Sequence, residues 1–337
     1  MKKNKILVTG GLGFIGSHTV VELLKEGYEV VIIDDLSNTR MEVLEGIKAI
    51  SGVGPEFVKL DLKEKEKVRA FFKEHSIDGV IHFAASKAVG ESVEEPLKYY
   101  ENNIATLVYL LQSMAENKVS NFIFSSSCTV YGQADELPIT ENAPVKKAES
   151  PYGNTKQIGE EIIQDTTKVM DLKAIALRYF NPIGAHESAH IGELPLGVPQ
   201  NLIPFVTQTA AGIRKELSVF GDDYPTQDGT AVRDYIHVVD LAQAHICALQ
   251  RLLEGKNQAK MEFFNVGTGK GSSVLEVIKA FEEANGTKVN YKIADRREGD
   301  ITAAYADTEL ANKELGWHAK LGLKDALSSA WKWQLKQ

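Results

Sequence analysis

Two cysteines in 337 residues, Cys128 and Cys247, are too few for a disulfide framework and lack the spacing of a metal site. Basic residues are also scarce. The 38 Lys and Arg stand against 46 Asp and Glu, a formal net charge of -8, which argues against nucleic acid as a partner and leaves room only for a local basic pocket. No apolar run reaches the length that spans a bilayer, and there is no internal repeat or low-complexity tract. No signal-peptide pattern precedes the first apolar run, Ile6-Leu7-Val8, so the expectation is a cytoplasmic enzyme. A hydrophobic share of 43% suffices for the core of one large α/β domain or two smaller ones.

What is present is alternation. Short apolar runs, Ile6–Val8, Val30–Ile33, Phe57–Leu60, Val80–Ala84, Phe122–Ser125 and Ile175–Leu177, are separated by segments long enough for helices: Ile15–Lys25, Lys65–Glu74, Asn102–Asn117 and Tyr152–Val169. Strands without polar alternation, joined by helices, predict a parallel sheet covered on both faces, a doubly wound Rossmann-type α/β fold. After Asn181 the pattern fades into loops rich in Pro and Gly, with regularity returning at Val239–Leu253 and Phe263–Val266. The expected organisation is a dinucleotide-binding domain over residues 1–180 and a smaller mixed α/β substrate domain over 181–337, with elements near 232–266 returning to the first.

Gly10, Gly13 and Gly16 follow a G-x-x-G-x-x-G spacing where the first strand becomes the first helix. Glycine permits a tight turn and close backbone approach to a pyrophosphate, and a helix N-terminus offers N–H groups and partial positive charge. Asp34 ends the second strand, where a carboxylate accepts bonds from an adenosine ribose and repels an additional phosphate, so NAD is expected over NADP. Asp35, Asn38 and Arg40 lie close enough in sequence to modify that choice. Asp61-Leu62 follows the third strand and suits either an adenine contact or the N-cap of a helix over Lys63–Glu74. Small residues after the fourth strand, Ala84-Ala85-Ser86, allow close approach, and Lys87 can reach a phosphate or ribose. His82, within an apolar strand, reads as packed. Asn102 and Asn103 suit helix capping or a cofactor contact.

Ser150-Pro151-Tyr152-Gly153-Asn154-Thr155-Lys156 reads as an N-cap, a proline in the first helical turn, and a Tyr and Lys four apart on one helix face. A neighbouring ammonium stabilises a phenolate, so the pair suits a tuned acid/base. Ser125 and Ser126 are expected to satisfy strand-end backbone groups. Ser127 joins Tyr152 and Lys156 in a set able to take a hydroxyl proton while hydride leaves the same carbon for a nicotinamide.

These residues resemble the extended short-chain dehydrogenase/reductases and, among them, the UDP-glucose (UDP-galactose) 4-epimerase family. The resemblance runs along essentially the whole chain. It rests on Val8 to His18, Lys87-Ala88-Val89-Gly90-Glu91-Ser92, Ser125 to Gly132, Ser150 to Lys156, Arg178-Tyr179-Phe180-Asn181-Pro182, Asp228-Gly229-Thr230, Arg233 to His237 and Arg296-Arg297-Glu298-Gly299-Asp300. It implies a 4-epimerase of UDP-hexoses that retains NAD, passes through a 4-keto sugar and forms a homodimer through Asn102–Asn117 and Tyr152–Val169. Tyr152 would be the base, Ser127 its proton partner and Lys156 the group that holds the nicotinamide ribose and lowers the phenol's pKa. The dinucleotide would lie against Gly10, Gly13, Phe14, Ile15, Gly16, Asp34, Asp35, Leu36, Asn38, Asp61, Leu62, Phe83, Ala84, Lys87, Asn102, Ser125, Tyr152, Lys156 and Tyr179. UDP-sugar would meet Lys87, Ser127, Tyr152, Asn181, Asn201, Leu202, Val219, Phe220, Arg233, Tyr235, Arg297 and Asp300, with the arginine forks on the diphosphate and Asp300 on the uridine ribose.

The chain departs from the family pattern in two places. Where many relatives carry Tyr at the hexose wall it has Ala304, followed by Tyr305, which implies a roomier pocket and acceptance of UDP-GlcNAc and UDP-GalNAc, unless Tyr305 or a loop refills the space. Where relatives often place Gly before Thr it has Asn103-Ile104-Ala105-Thr106, a matter of helix packing. A nucleotide-sugar 4,6-dehydratase would need an additional acid, commonly an Asp-Glu pair, where Cys128-Thr129 stands. A UDP-glucuronate 4-epimerase is a closer alternative, although no dedicated carboxylate-binding residue stands out. A catalytically silent NAD-binding regulator would have little reason to keep Ser127, Tyr152 and Lys156 together.

Overall fold

The computed structural model describes residues 3–297 and 300–337. The first-half strands are β1 (Lys5–Thr9), β2 (Glu29–Asp34), β3 (Glu56–Lys59), β4 (Gly79–His82), β5 (Asn121–Ser125) and β6 (Lys173–Tyr179). Next come β7 (Asn181–Ile183), β8 (Leu217–Phe220), β9 (Val232–His237) and β10 (Met261–Val266). A seven-stranded sheet has the order β10-β6-β5-β4-β1-β2-β3, and every pairing in it is parallel. Alternate residues feed two separate cores. Ile6, Val8, Val30, Ile32, Ile81 and Ile175 pack on one face with Val20, Leu23, Leu241 and Leu252 of helices Phe14–Lys25 and Val238–Leu253. Leu7, Val31, Ile33, Val80 and Phe122 pack on the other with Phe71, Leu107, Leu110 and Ile163. A sheet buried on both faces accounts for the unbroken apolar runs. Strand order reverses between β1 and β4, and the carboxyl ends of β1, β2, β4, β5 and β6 line one edge, the position where open α/β sheets bind ligands.

Several sequence expectations change. Phe83 and Ala84 lie beyond β4, in the loop rather than the strand. Asp61 is not a helix N-cap: the helix is Lys65–Glu74, capped at Glu64, and Asp61 instead accepts the Lys63 N–H. Asn102 and Asn103 cap nothing. Helix Pro96–Tyr100 runs through a π-helical turn, Glu101–Ala105, into helix Thr106–Glu116, so both asparagines sit inside a continuous helical segment, at the place of the Asn103–Thr106 departure. Helix Glu42–Ser51, absent from the sequence reading, connects β2 and β3.

Beyond Tyr179 the chain leaves the large sheet. β9 is paired by β7, by β11 (Gly271–Ser273) and by β13 (Ala303–Ala304), while β8 pairs with β12 (Tyr291–Ala294). The segment that rejoins the large sheet therefore starts at the helix after β9, and β9 itself belongs to the smaller sheet. A third core of Ile183, Ile203, Val206, Leu217, Val219, Val277, Phe281 and Leu327 holds this region together. Among the described residues, no helix is long and apolar enough to cross a membrane.

Burial makes the fold acid-sensitive. His18 and His82 are pushed down to about 3 and His237 and His245 to about 4, chiefly because burial penalises the imidazolium. Unfolded histidines titrate near ~6.5, so the unfolded chain binds protons the native state refuses, and stability present above that pH is lost as pH falls toward the folded values. At pH 5 each such histidine costs about 2 kcal/mol. Asp34, Asp234, Asp240 and Glu141, raised by burial, offset part of this. The urea midpoint is expected to drop sharply between pH 7 and pH 5; an unchanged midpoint would mean that these imidazoles accept protons in the native state.

Candidate active site

The turn after β1 is built on glycine because nothing larger fits. Gly10 has φ +68°, and a Cβ there would lie 2.8 Å from the Ala84 nitrogen; one on Gly16 would lie 2.2 Å from the Gly10 carbonyl oxygen. The loop is thus pressed against the end of β4, and helix Phe14–Lys25 begins directly beneath it, capped at Gly13 with no side chain covering its first N–H groups. Asp34 is buried at the end of β2, where its carboxylate accepts from the Leu12 and Leu36 N–H groups at 3.1 and 3.0 Å. Leu36 has φ +65°. Asp35 accepts from the Ser37 N–H and hydroxyl, and Asn38 is exposed. Leu62 packs into the core, so only its backbone is available to a ligand. Ile15 is also packed against the core, and the Phe14 ring lies under the Lys87 ammonium at 5.9 Å. Together the open N–H groups, the glycine cradle and a carboxylate one strand away suit a pyrophosphate-linked dinucleotide.

Helix Pro151–Val169 carries Tyr152 and Lys156 on a buried face. Ser150 accepts the Gly153 N–H at 3.1 Å and Pro151 occupies the first turn. Lys156 donates to the Ser125 carbonyl at 2.7 Å, and its Nζ lies 5.0 Å from the Phe124 ring centre and 5.7 Å from that of Tyr152. Burial lowers Lys156 to about 8, with Glu160 acting in the opposite direction. Tyr152 behaves differently from the sequence expectation. Burial drives its phenol well above its ordinary value, Tyr179 adds to this, and the neighbouring Ser127 hydroxyl opposes it. The Lys156 ammonium, bonded to the Ser125 carbonyl, does not outweigh that burial. In the protein alone Tyr152 is a neutral phenol.

The serine segment also differs. Ser125 shares a hydrogen bond with the Tyr179 hydroxyl at 2.7 Å, and Ser126 donates to Glu160 at 2.6 Å, so neither hydroxyl serves a strand-end backbone group. Ser127 caps the short turn Cys128–Tyr131 by accepting the Thr129 N–H. Asn102 donates to the Ser86 hydroxyl, while Asn103 accepts the Ser86 N–H and donates to Thr155 at 3.0 Å, stitching the loop after β4 to the Tyr152 helix. His82 is packed, with Nδ1 2.7 Å from the Thr9 hydroxyl.

The second half brings its own cluster to the same edge. Arg297 donates to Asp300 at 3.0 and 3.3 Å, and Arg233 lies 3.6 Å from the same carboxylate. Both guanidiniums therefore converge on Asp300, the expected ribose acceptor, in the protein alone. Arg297 also covers the Phe220 ring at 4.9 Å. Glu298 and Gly299 of this motif lie outside the described residues. Asn181 on β7 is in register with Tyr235 on β9, whose phenol burial pushes up to about 12. Val219 is 1% exposed and packs inward, leaving only its backbone to a ligand. Asn201 caps helix Leu202–Ala210 and donates to Glu193 at 2.6 Å; the same carboxylate holds Lys87 at 3.4 Å. Ala304, in register with Arg233, is 2% exposed and packs with Val130, Tyr131 and Phe180. The expected extra room there is thus closed by neighbours. Tyr305 points elsewhere, its ring 3.1 Å from where a Gly271 Cβ would stand.

Glu160, Arg178 and Glu193, given no role in the sequence analysis, bond directly to residues of this cluster or to each other. Glu160 had a usable signal, standing four after Lys156 as Lys156 stands four after Tyr152.

A family model described as GDP-mannose 4,6 dehydratase matches residues 7–330. A UDP-glucose 4-epimerase of Bacillus subtilis is 52% identical, over 98% of this chain and 96% of its own. The crystal structure of a UDP-glucose-4-epimerase from Stenotrophomonas maltophila, with bound NAD and formylated UDP-arabinopyranose, superposes with a TM-score of 0.95 at 49% identity, covering 99% and 98% of the two chains. A UDP-Glc/GlcNAc 4-epimerase from Campylobacter jejuni superposes at 0.84 with 36% identity, covering 99% and 100%. The family model spans a wide group, whereas the relatives of half-identical sequence carry one name. With the glycine cradle, the Ser127, Tyr152 and Lys156 face and the paired arginines on one sheet edge, the chain belongs to the UDP-glucose 4-epimerase family.

Proposed function

We propose that the protein interconverts UDP-glucose and UDP-galactose by reversible oxidation at carbon 4, with NAD retained between turnovers. The observation that carries this reading is the convergence of Ser127, Tyr152 and Lys156 with the glycine cradle on one side and the Arg233 and Arg297 pair on the other. Bound along the cradle, NAD would accept the carbon-4 hydride, return it once reduced, and in its oxidised form add positive charge to the site. Tyr152 takes the proton of the 4-hydroxyl and returns it, with Ser127 hydrogen-bonded to the same oxygen. Lys156 contributes positive charge and is placed to meet the nicotinamide ribose. Lowering a phenol pKa from ~10 to about 7 takes roughly 4 kcal/mol of preferential phenolate stabilisation, more from the raised value here. The arginines grip the diphosphate, displacing Asp300 from their shared position, so the keto sugar can turn while its UDP remains anchored. Pure protein given UDP-galactose, without added dinucleotide, is expected to form UDP-glucose; absence of product would reject the reading.

Dinucleotide retention depends on the cradle. Gly10→Ala imposes a left-handed φ on a residue with a Cβ and a 2.8 Å clash, a strain of ~1–3 kcal/mol. Dinucleotide affinity is expected to fall at least about fivefold, read as less dinucleotide released on denaturation than from wild type.

The same reading extends to UDP-GlcNAc and UDP-GalNAc: the Campylobacter relative carries both sugars in its name, and the small Ala304, which Tyr305 turns away from, leaves only its cluster with Val130 and Tyr131 to part for the acetamido group. It also includes a homodimer formed through Asn102–Asn117 and Tyr152–Val169, and a cytoplasmic location. Sedimentation at micromolar concentration tests the dimer.

A further inference from the structure

This inference rests on the reading of Ser127, Tyr152 and Lys156 as the catalytic face. Behind that face lies a buried ion pair that no step of the reaction uses. Arg178 on β6 grips Glu160 with two parallel hydrogen bonds, 2.9 Å from Nε and 2.7 Å from Nη2, and the side chains are only 6% and 7% exposed. Glu160 Oε1 also accepts from the Ser126 hydroxyl at 2.6 Å. One residue earlier, the Ser125 carbonyl accepts from Lys156 at 2.7 Å. The end of β5 is therefore clamped to the helix by two bonds one turn apart, one from Lys156 and one to Glu160. Ser127 is the next residue along. Arg178 Nη1 continues the network to the Tyr131 hydroxyl at 3.0 Å, which donates to Asn265 at 2.7 Å, and Asn265 donates to the Ile139 carbonyl beside the Ala304 strand.

We propose that Glu160 and Arg178 are positioning residues of the reaction: through Ser126 they fix the Ser125 carbonyl that holds Lys156 and the placement of Ser127 against Tyr152. A bidentate Arg–carboxylate pair suits this task because it fixes orientation as well as distance. Misplacement of catalytic groups by about 1 Å costs on the order of 10²-fold in rate. The pair also sets the charge balance at Lys156. The other titratable groups facing it are Tyr152 on its own helix, His82 on β4 and Tyr179 on β6 through Ser125, all neutral near pH 7 because burial disfavours their charged forms. Glu160 is thus the one described carboxylate acting on the ammonium, and replacing it with an amide leaves Arg178 as an unbalanced positive neighbour.

The test uses the full-length protein with its retained dinucleotide and UDP-galactose as substrate, comparing Glu160→Gln, Ser126→Ala and Tyr152→Phe. Glu160→Gln is expected to lower kcat about 10- to 100-fold with KM within about threefold, since the UDP anchors lie on other elements. The alkaline limb of its kcat profile is expected to move down by about one pH unit, because loss of an opposite charge favours neutral lysine. Ser126→Ala keeps the ion pair and is expected to lower kcat several-fold with the limb unmoved. Wild-type kcat and pH limb in Glu160→Gln would overturn the proposal. If Glu160→Gln does not fold, Ser126→Ala decides, and its wild-type kcat would overturn it equally. Unimpaired turnover in Tyr152→Phe would instead overturn the catalytic reading on which the proposal stands.

Discussion

Tyr152→Phe is expected to lower kcat for UDP-galactose by about 10²- to 10⁴-fold, the range for losing a positioned acid/base. KM and the amount of retained dinucleotide are expected to change far less than kcat, because the cradle and the arginine pair, not the phenol oxygen, hold most of each molecule. The size of the effect follows from burial. Tyr152 stands with Ser127 in a site where desolvation opposes the phenolate, and water has no ready access to substitute for it. A fall in kcat/KM carried wholly by kcat marks an interaction made only in the transition state. If turnover fell only a few-fold, another group would be taking the 4-hydroxyl proton.

Ala304→Tyr has the second-largest expected effect, on which sugars are accepted. Ala304 lies beside Arg233 in the β9–β13 pairing and against Val130 and Tyr131, which follow Ser127, so a long side chain there must enter the space next to the catalytic serine or displace a closed cluster. Tyr305 does not occupy that space, since its ring stands beside Gly271. UDP-GalNAc turnover is expected to fall at least about 100-fold relative to UDP-galactose, a discrimination obtained by building a clash against the larger substrate. Parallel assays of wild type and variant with both substrates check this. Wild-type protein that turns over UDP-galactose but not UDP-GalNAc would end the dual-specificity reading.

The large sheet was legible because its central strands β1, β2, β4 and β5 are apolar on both faces, as a covered parallel sheet requires. The short strands were not: β7 and β11 have three residues and β13 two, too few for any period to show. Helix Glu42–Ser51 was hidden by an interior Gly46, a residue unfavourable to helices in isolation but required where a Cβ would sit 2.4 Å from the His190 carbonyl oxygen. The glycine loop, the Ser150 cap and the Tyr152 and Lys156 pair were readable as local spacing. The partners of Lys156 were not, because its ammonium is claimed by a carbonyl 31 positions away, and Arg178 reaches Glu160 across 18 positions. For the same reason the suitability of the arginine forks for a diphosphate was legible by chemistry, while their convergence on Asp300 required the fold.

The central claim, reversible oxidation at carbon 4 of a UDP-hexose, is tested most directly with UDP-galactose carrying deuterium at carbon 4. The protein alone, with no added dinucleotide, is predicted to yield an equilibrium mixture with UDP-glucose in which the deuterium remains at carbon 4. No conversion, or conversion with the label lost to water, would contradict the account.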